Sequence, residues 1–272
     1  MTRSLSREPR LFGVPALLFV ASAATTITWS GSMSAMDMAM PGGWTMSMAW
    51  MRMPDQTWSG AAASFLGMWM VMMLAMMLPA LVPMLRRYAE AVPQTAPKTL
   101  SGIGAATDDR LVGRLVAIAG LGYFCVWAAA GLALFPAGAA LSAIAMAQPA
   151  MARAVPWATA AVLLIAGARQ FSAAKARALA CCGAARAHDR AATAGAAWRH
   201  GLRLGVQCLR CCGNLMVVLV VVGVMDLTTM ALVTAAITAE RVAPAGERVA
   251  RASGGILVAA GVVAMARAFA LA

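Results

Sequence analysis

Apolar runs long enough to cross a bilayer recur along this chain, and short segments between them gather the polar and charged positions. The runs fall at Leu11–Trp29, Ala61–Leu85, Leu111–Phe135, Ala154–Ala168, Leu204–Val222, Leu227–Ala239 and Ala252–Ala270. A hydrocarbon core of about 30 Å takes about 20 residues of helix, and lipid offers no partner to an unpaired backbone group. The pattern therefore predicts an all-α, polytopic transmembrane helical bundle of about seven spans. Pro136–Arg153 is small, weakly apolar and bracketed by prolines, and reads as a re-entrant or interfacial stretch. Residues 1–29 form a first span, 30–60 a methionine-rich outer loop, and 61–272 a membrane domain of six spans with a basic segment at 169–203.

Composition agrees with this layout. Of 272 residues 62% are hydrophobic and only 12% charged, against about 25% charged in a soluble domain. So little charge cannot cover a water-soluble core, which makes the lipid bilayer the first partner. The net charge of +12 would suggest nucleic acid in a soluble protein. Here the cations lie between apolar runs and read as topology signals instead, with no nucleic-acid partner. A cytoplasmic N-terminus puts Arg3, Arg7, Arg10, Arg86, Arg87, Lys98, Arg110 and Arg114 inside, together with the cations of 169–203 and Arg241, Arg248 and Arg251. Arg52 and Arg153 fall outside. The chain is thus expected to be multi-pass in a bacterial inner (cytoplasmic) membrane. Its N-terminus imitates a signal peptide, with Ala21-Ser22-Ala23 as a cleavage site, but the apolar stretch is long enough to serve as an uncleaved anchor.

The densest chemistry lies in Gln207-Cys208-Leu209-Arg210-Cys211-Cys212-Gly213-Asn214-Leu215-Met216. Positions three and four apart share a helix face, so Cys208, Cys211 and Cys212 present three thiols together, with Met216 one turn further on. Thiolates suit copper(I), zinc or an iron–sulfur cluster, and Arg210 supplies a positive charge that favours the binding form. Buried cysteine is also a small apolar packing residue, but three in five residues favour metal or thiol chemistry. Cys181 and Cys182 lie in the basic segment on the same side of the membrane. They either complete a four-thiolate site or serve as surface thiols. His188 and His200, in the same segment, read as solvated, and Cys125 as packing.

Methionine is abundant, at 22 residues. Met33, Met36, Met38, Met40, Met46, Met48, Met51 and Met53 crowd the outer loop, and the second span carries Met68, Met72 and Met76 along one face and Met70, Met73, Met77 and Met84 along another. Thioethers bind copper(I) without losing a proton, and methionine also packs adaptably. Packing is the favoured reading of the span. Asp226 and Glu240 sit at span ends, too shallow to demand a proton relay. No Walker loop, HExxH or Ser/His/Asp constellation occurs, so no enzyme activity is expected.

Met68-Trp69…Met72…Ala75-Met76-Met77-Leu78-Pro79 resembles the MWxxMxxAMMLP signature of a bacterial family of predicted metal-binding integral membrane proteins. Gly122-Tyr123…Trp127 is similar to its third-span motif, and Gly205…Cys208-Leu209…Cys211-Cys212…Leu215-Met216 to its GxxCLGCCxxLM motif. Gly223-Val224-Met225-Asp226-Leu227…Met230 resembles its GVMNLxWM, and Glu240-Arg241 its Glu-Lys pair. The likeness runs from about Gly67 to the C-terminus. Arg210, Gly213 and Asp226 depart from the family's glycine, tryptophan and asparagine, and after Lys175 only Cys182 aligns with the two cysteines of its KxxCLxxCR. The resemblance implies metal binding. With the residues it gives a soft metal, copper(I) ahead of zinc, at Cys208, Cys211, Cys212, Cys182, Met216, Met72 and Met76. The implied partner is a metallochaperone or another membrane complex. A thiol-redox protein and a non-catalytic assembly partner are the alternatives.

Overall fold

In a computed structural model, which describes residues 8–34, 38–53, 55–95, 105–183 and 193–270, the apolar runs form eight helices. They are α1 (Glu8–Ser34), α2 (Trp58–Thr95), α3 (Ala105–Ala147), α4 (Pro149–Gln170), α5 (Ala173–Gly183), α6 (Ala194–Val222), α7 (Leu227–Val242) and α8 (Gly246–Ala270). The bundle is all-α, as the pattern predicts, with one small addition in the outer loop. Strands β1 (Met38–Met40) and β2 (Trp44–Met46) pair antiparallel, and a 3₁₀ turn follows at Met48–Trp50. Pro41-Gly42-Gly43 closes the hairpin, and both glycines take positive φ, which a side chain resists. Met36, Arg3, Arg7, Lys98, Arg186, His188, Arg190 and the side chain of Cys182 lie outside the described residues.

Six helices, α1 to α4, α6 and α8, are long and apolar enough to cross a membrane. A seventh span is expected where α7 stands. That helix has only 16 residues, about 24 Å of rise against the roughly 30 Å of a hydrocarbon core. It ends at Val242, three residues beyond the expected limit, and so carries Glu240 and Arg241 within the helix. The re-entrant reading of 136–153 is corrected. Pro136 lies inside α3, which continues to Ala147, and Pro149 opens α4. A mid-helix proline forfeits one hydrogen bond, and the alanine-rich residues after it are strong helix formers. The basic segment is likewise helical over α5 and the first turns of α6.

Close backbone contacts hold the long helices together. A Cβ on Gly201 of α6 would come 2.0 Å from the carbonyl oxygen of Ala119 on α3, and one on Gly122 would come 2.7 Å from that of Trp198. Small residues at such crossings are how helices associate where lipid removes the hydrophobic drive. Outward-facing side chains are apolar, among them Leu121, Ile165, Leu232, Ile256 and Phe269.

The hairpin fixes one end of the bundle. Trp44 Nε1 donates to the Ala152 carbonyl at 2.9 Å, Trp50 packs on Phe65 at 5.0 Å between ring centroids, and Ser30 Oγ donates to the Met225 carbonyl. The β-hairpin, the start of α4 and the turn between α6 and α7 therefore share one end. Asp226 is the N-cap of α7 and accepts from the Thr229 amide, a structural use for an acid at a helix start.

Gly201→Ala should destabilise the bundle by about 1–3 kcal/mol, the usual cost of overpacking. Gly113→Ala, where nothing lies within 4 Å of the new Cβ, should leave stability unchanged or raise it slightly. Thermal unfolding of the two purified variants in detergent checks the contrast.

Candidate metal centre

Cys208, Cys211 and Cys212 are all buried on α6. Cys208 Sγ lies 3.8 Å from Cys212 Sγ and 3.9 Å from Met77 Sδ on α2. Two sulfurs bound to one ion at about 2.3 Å, with angles between tetrahedral and trigonal, stand about 3.8–4.0 Å apart. Both separations match that geometry. Cys211 precedes Cys212 on α6 and is buried with it. Among the described residues no group of three or more His, Cys, Asp or Glu side chains is placed to hold a metal. What gathers at Cys208 is a pair of thiols and a thioether.

The surroundings of Cys208 are polar in a directed way. Tyr123 Oη on α3 donates to its sulfur at 3.0 Å, and Arg241 Nη1 on α7 donates at 3.0 Å. Arg241 Nη2 reaches Met84 Sδ on α2 at 2.9 Å. Four helices thus converge on one sulfur, and a guanidinium sits where it offsets the negative charge of a thiolate ligand.

Glu240, adjacent to Arg241, anchors a second buried group. Its Oε2 accepts from Lys175 Nζ on α5 at 2.6 Å, and its Oε1 accepts from Gln170 Nε2 at 3.0 Å and Ser253 Oγ at 2.8 Å. Lys175 Nζ also donates to the Cys211 carbonyl at 2.7 Å, tying this pair to the thiol helix. The Lys175 and Glu240 side chains are 5% and 0% exposed.

The expected residues separate into two sets. Cys208, Cys211, Cys212, Met216, Met72 and Met76 all fall in one buried core, with Met73 and Met77 beside them. Met68, Met72 and Met76 are thus buried on one face of α2, and on the other Met73 and Met77 are buried while Met70 and Met84 are half-buried. Cys181 is exposed on α5, and so is Cys125 on α3. Arg210, expected to influence the thiols, points to the exposed face of α6, and Arg241 takes that place. His200 is not solvated but stacks on Tyr88, with ring centroids 4.6 Å apart.

A family described as a copper chaperone, PpoB2, matches residues 66–264. The chain belongs to this copper chaperone family. No curated protein and no solved structure matches. The matched range holds α3 to α7 entire and nearly all of the buried sulfur core.

Three members of the candidate centre are not singled out by the sequence. Met77 was legible as a methionine but not distinguishable from its neighbours. Tyr123 was visible only as part of a motif. The pattern ends the sixth span at Ala239, three residues short of the end of α7, and so leaves Arg241 in a polar connection. An acid and a base side by side at the end of an apolar run were the available signal, since intramembrane charges default to functional or paired roles.

Lys175→Met should cost about 3–5 kcal/mol, because it leaves the Glu240 carboxylate buried without its cation. Adding Glu240→Gln should restore most of that loss. A double-mutant cycle of thermal stability checks this, and additive losses would mean that the pair is not coupled.

Proposed function

We propose that the chain is a multi-pass copper(I) chaperone of a bacterial inner membrane, with a cytoplasmic N-terminus. Copper(I) is its cargo, held by Cys208, Cys212 and Met77, with Tyr123 and Arg241 as supporting donors. Cys211, adjacent to Cys212 and buried with it on α6, is the next thiol for the ion on its way to a receiving metallochaperone or membrane complex. The observation that carries this reading is the convergence of two thiols, a thioether and one guanidinium at Cys208.

Charge counting supports copper(I) over zinc. Two thiolates and copper(I) sum to −1, and the Arg241 guanidinium, bonded to the Cys208 sulfur, offsets that charge. Two thiolates and zinc are already neutral, so the same hydrogen bond gains less from them. Zinc moreover prefers thiolate, imidazole and carboxylate, and Met77 offers it a poor ligand.

Protein purified under reducing conditions should carry copper(I), and Cys208→Ser should lose the tightly held, thiolate-bound ion. Tyr123→Phe should weaken binding by about 10–100-fold, the usual effect of removing an outer hydrogen bond at a metal site. Arg241→Gln should shift the preference toward zinc. Chelator competition and elemental analysis read all three, and full copper retention by Cys208→Ser would sink the assignment.

Topology has its own test. An exposed hairpin position, Thr45→Cys, should react with an impermeant thiol reagent in spheroplasts. Cys181, exposed on α5, should react only after lysis. The reverse pattern would invert the orientation.

A further inference from the structure

We propose that a cleft at the hairpin end is a second copper(I) site, where the ion loads before reaching Cys208. The cleft lies between α1, α2 and the turn joining α6 to α7, and is lined by Thr26, Trp29, Met68, Met72 and Met225. This inference rests on the copper(I) reading of the Cys208 centre and extends it toward the hairpin end of the bundle.

The chemistry of the lining selects the ligand. Three of the five residues are thioethers, and none is a carboxylate, imidazole or thiol. Thioethers are neutral, need no deprotonation and favour copper(I) among biological ions. Such a site works in an oxidising compartment, where exposed thiols would form disulfides. Its position is fixed from both sides. Ser30 on α1 holds the Met225 carbonyl, pinning the turn to α1, and Met68 and Met72 are successive turns of one α2 face.

Continuity supplies the second argument. Met72 is shared between the cleft and the core, and Met76 and Met77 lie one turn further along α2. Each turn advances about 5.4 Å, a step the flexible thioether side chain spans. The column ends at Met77, whose sulfur is 3.9 Å from Cys208. Every side chain along it is buried, so the ion never meets lipid. The ion moves as copper(I) throughout. One copper–sulfur bond forms as another breaks, no electron is exchanged, and each thiol that becomes a thiolate ligand releases its proton to water. Neutral thioethers lead to anionic thiolates, so affinity rises along the column and gives the transfer its direction.

The test uses the full chain in lipid nanodiscs under reducing conditions, with copper(I) presented as a chelator complex. Met68→Leu/Met225→Leu removes two cleft sulfurs and keeps the volume, at a cost usually below about 1.5 kcal/mol. Met225→Leu alone serves if the double variant unfolds. The rate at which thiolate-to-copper absorption appears should fall by about tenfold or more in the leucine variant, while its final amplitude is unchanged. Cys208→Ser should retain one weakly held copper(I), which disappears when the leucine changes are added. An unchanged loading rate together with no thioether-dependent copper in Cys208→Ser would overturn the cleft site. Loss of thiolate absorption from the unmodified protein, with methionine-dependent copper retained, would instead overturn the Cys208 centre and leave the cleft standing.

Discussion

Glu240 and Arg241 are neighbours of opposite charge near the end of a short helix inside an apolar bundle. Neither can be left alone there, because an unpaired buried charge costs more than most packing gains. Each is satisfied in a different direction. Glu240 turns to Lys175, Gln170 and Ser253, and so draws α4, α5 and α8 together. Arg241 turns to Cys208 and Met84, and so draws α2 and α6. The shortness of α7 is part of this arrangement. A helix of 16 residues brings its charged last turn to the level of Cys208 on the partner strand of the α6–α7 hairpin.

Bringing that many helices to one point requires close crossings, which bulky side chains would prevent. Gly201 and Gly122 let α6 and α3 meet almost backbone to backbone, and that contact lies two turns from Cys208 on α6. Tyr123, next to Gly122, thereby reaches the sulfur with its hydroxyl. On the far side Gly167 of α4 and Gly254 of α8 approach in the same way: a Cβ on Gly167 would stand 2.9 Å from the Gly254 carbonyl oxygen. That crossing places Gln170 and Ser253 within reach of one carboxylate. Small residues thus position the polar groups as well as holding the helices.

Helix existence was legible because lipid forces apolar length, and a span of 20 residues is a strong signal. The thiol face was legible because helical spacing is local. Boundaries were less so. Pro136 suggested a break that a membrane helix tolerates, and Ala239 suggested an end that α7 passes by three residues. Those three include the two charges on which the centre depends. What local periodicity cannot supply is which face of α2 meets α6. Met72 and Met76 follow the pattern as well as Met77 does, and only the packing of α2, α3 and α6 sets Met77 against Cys208. Lys175 was hidden for a similar reason. A lysine in a basic segment reads as solvated until tertiary packing tucks α5 under Glu240.

Packing alone does not require sulfur along α2. Leucine and methionine exchange in cores at a cost usually below about 1.5 kcal/mol, and methionine, with more rotatable bonds, specifies a core less well. A bundle selected for stability alone would use leucine and isoleucine there. Instead Met72, Met73, Met76 and Met77 lie in the buried core that also holds Cys208, Cys211 and Cys212. Exposed apolar positions elsewhere are mostly leucine, isoleucine, valine and phenylalanine. Methionine on α2 is therefore gathered in the same core as the buried thiols, while exposed helix positions mostly use other residues, Met146 and Met151 excepted. Sulfur placed for packing adaptability would not need that continuity with Cys208; sulfur placed to pass a soft ion would.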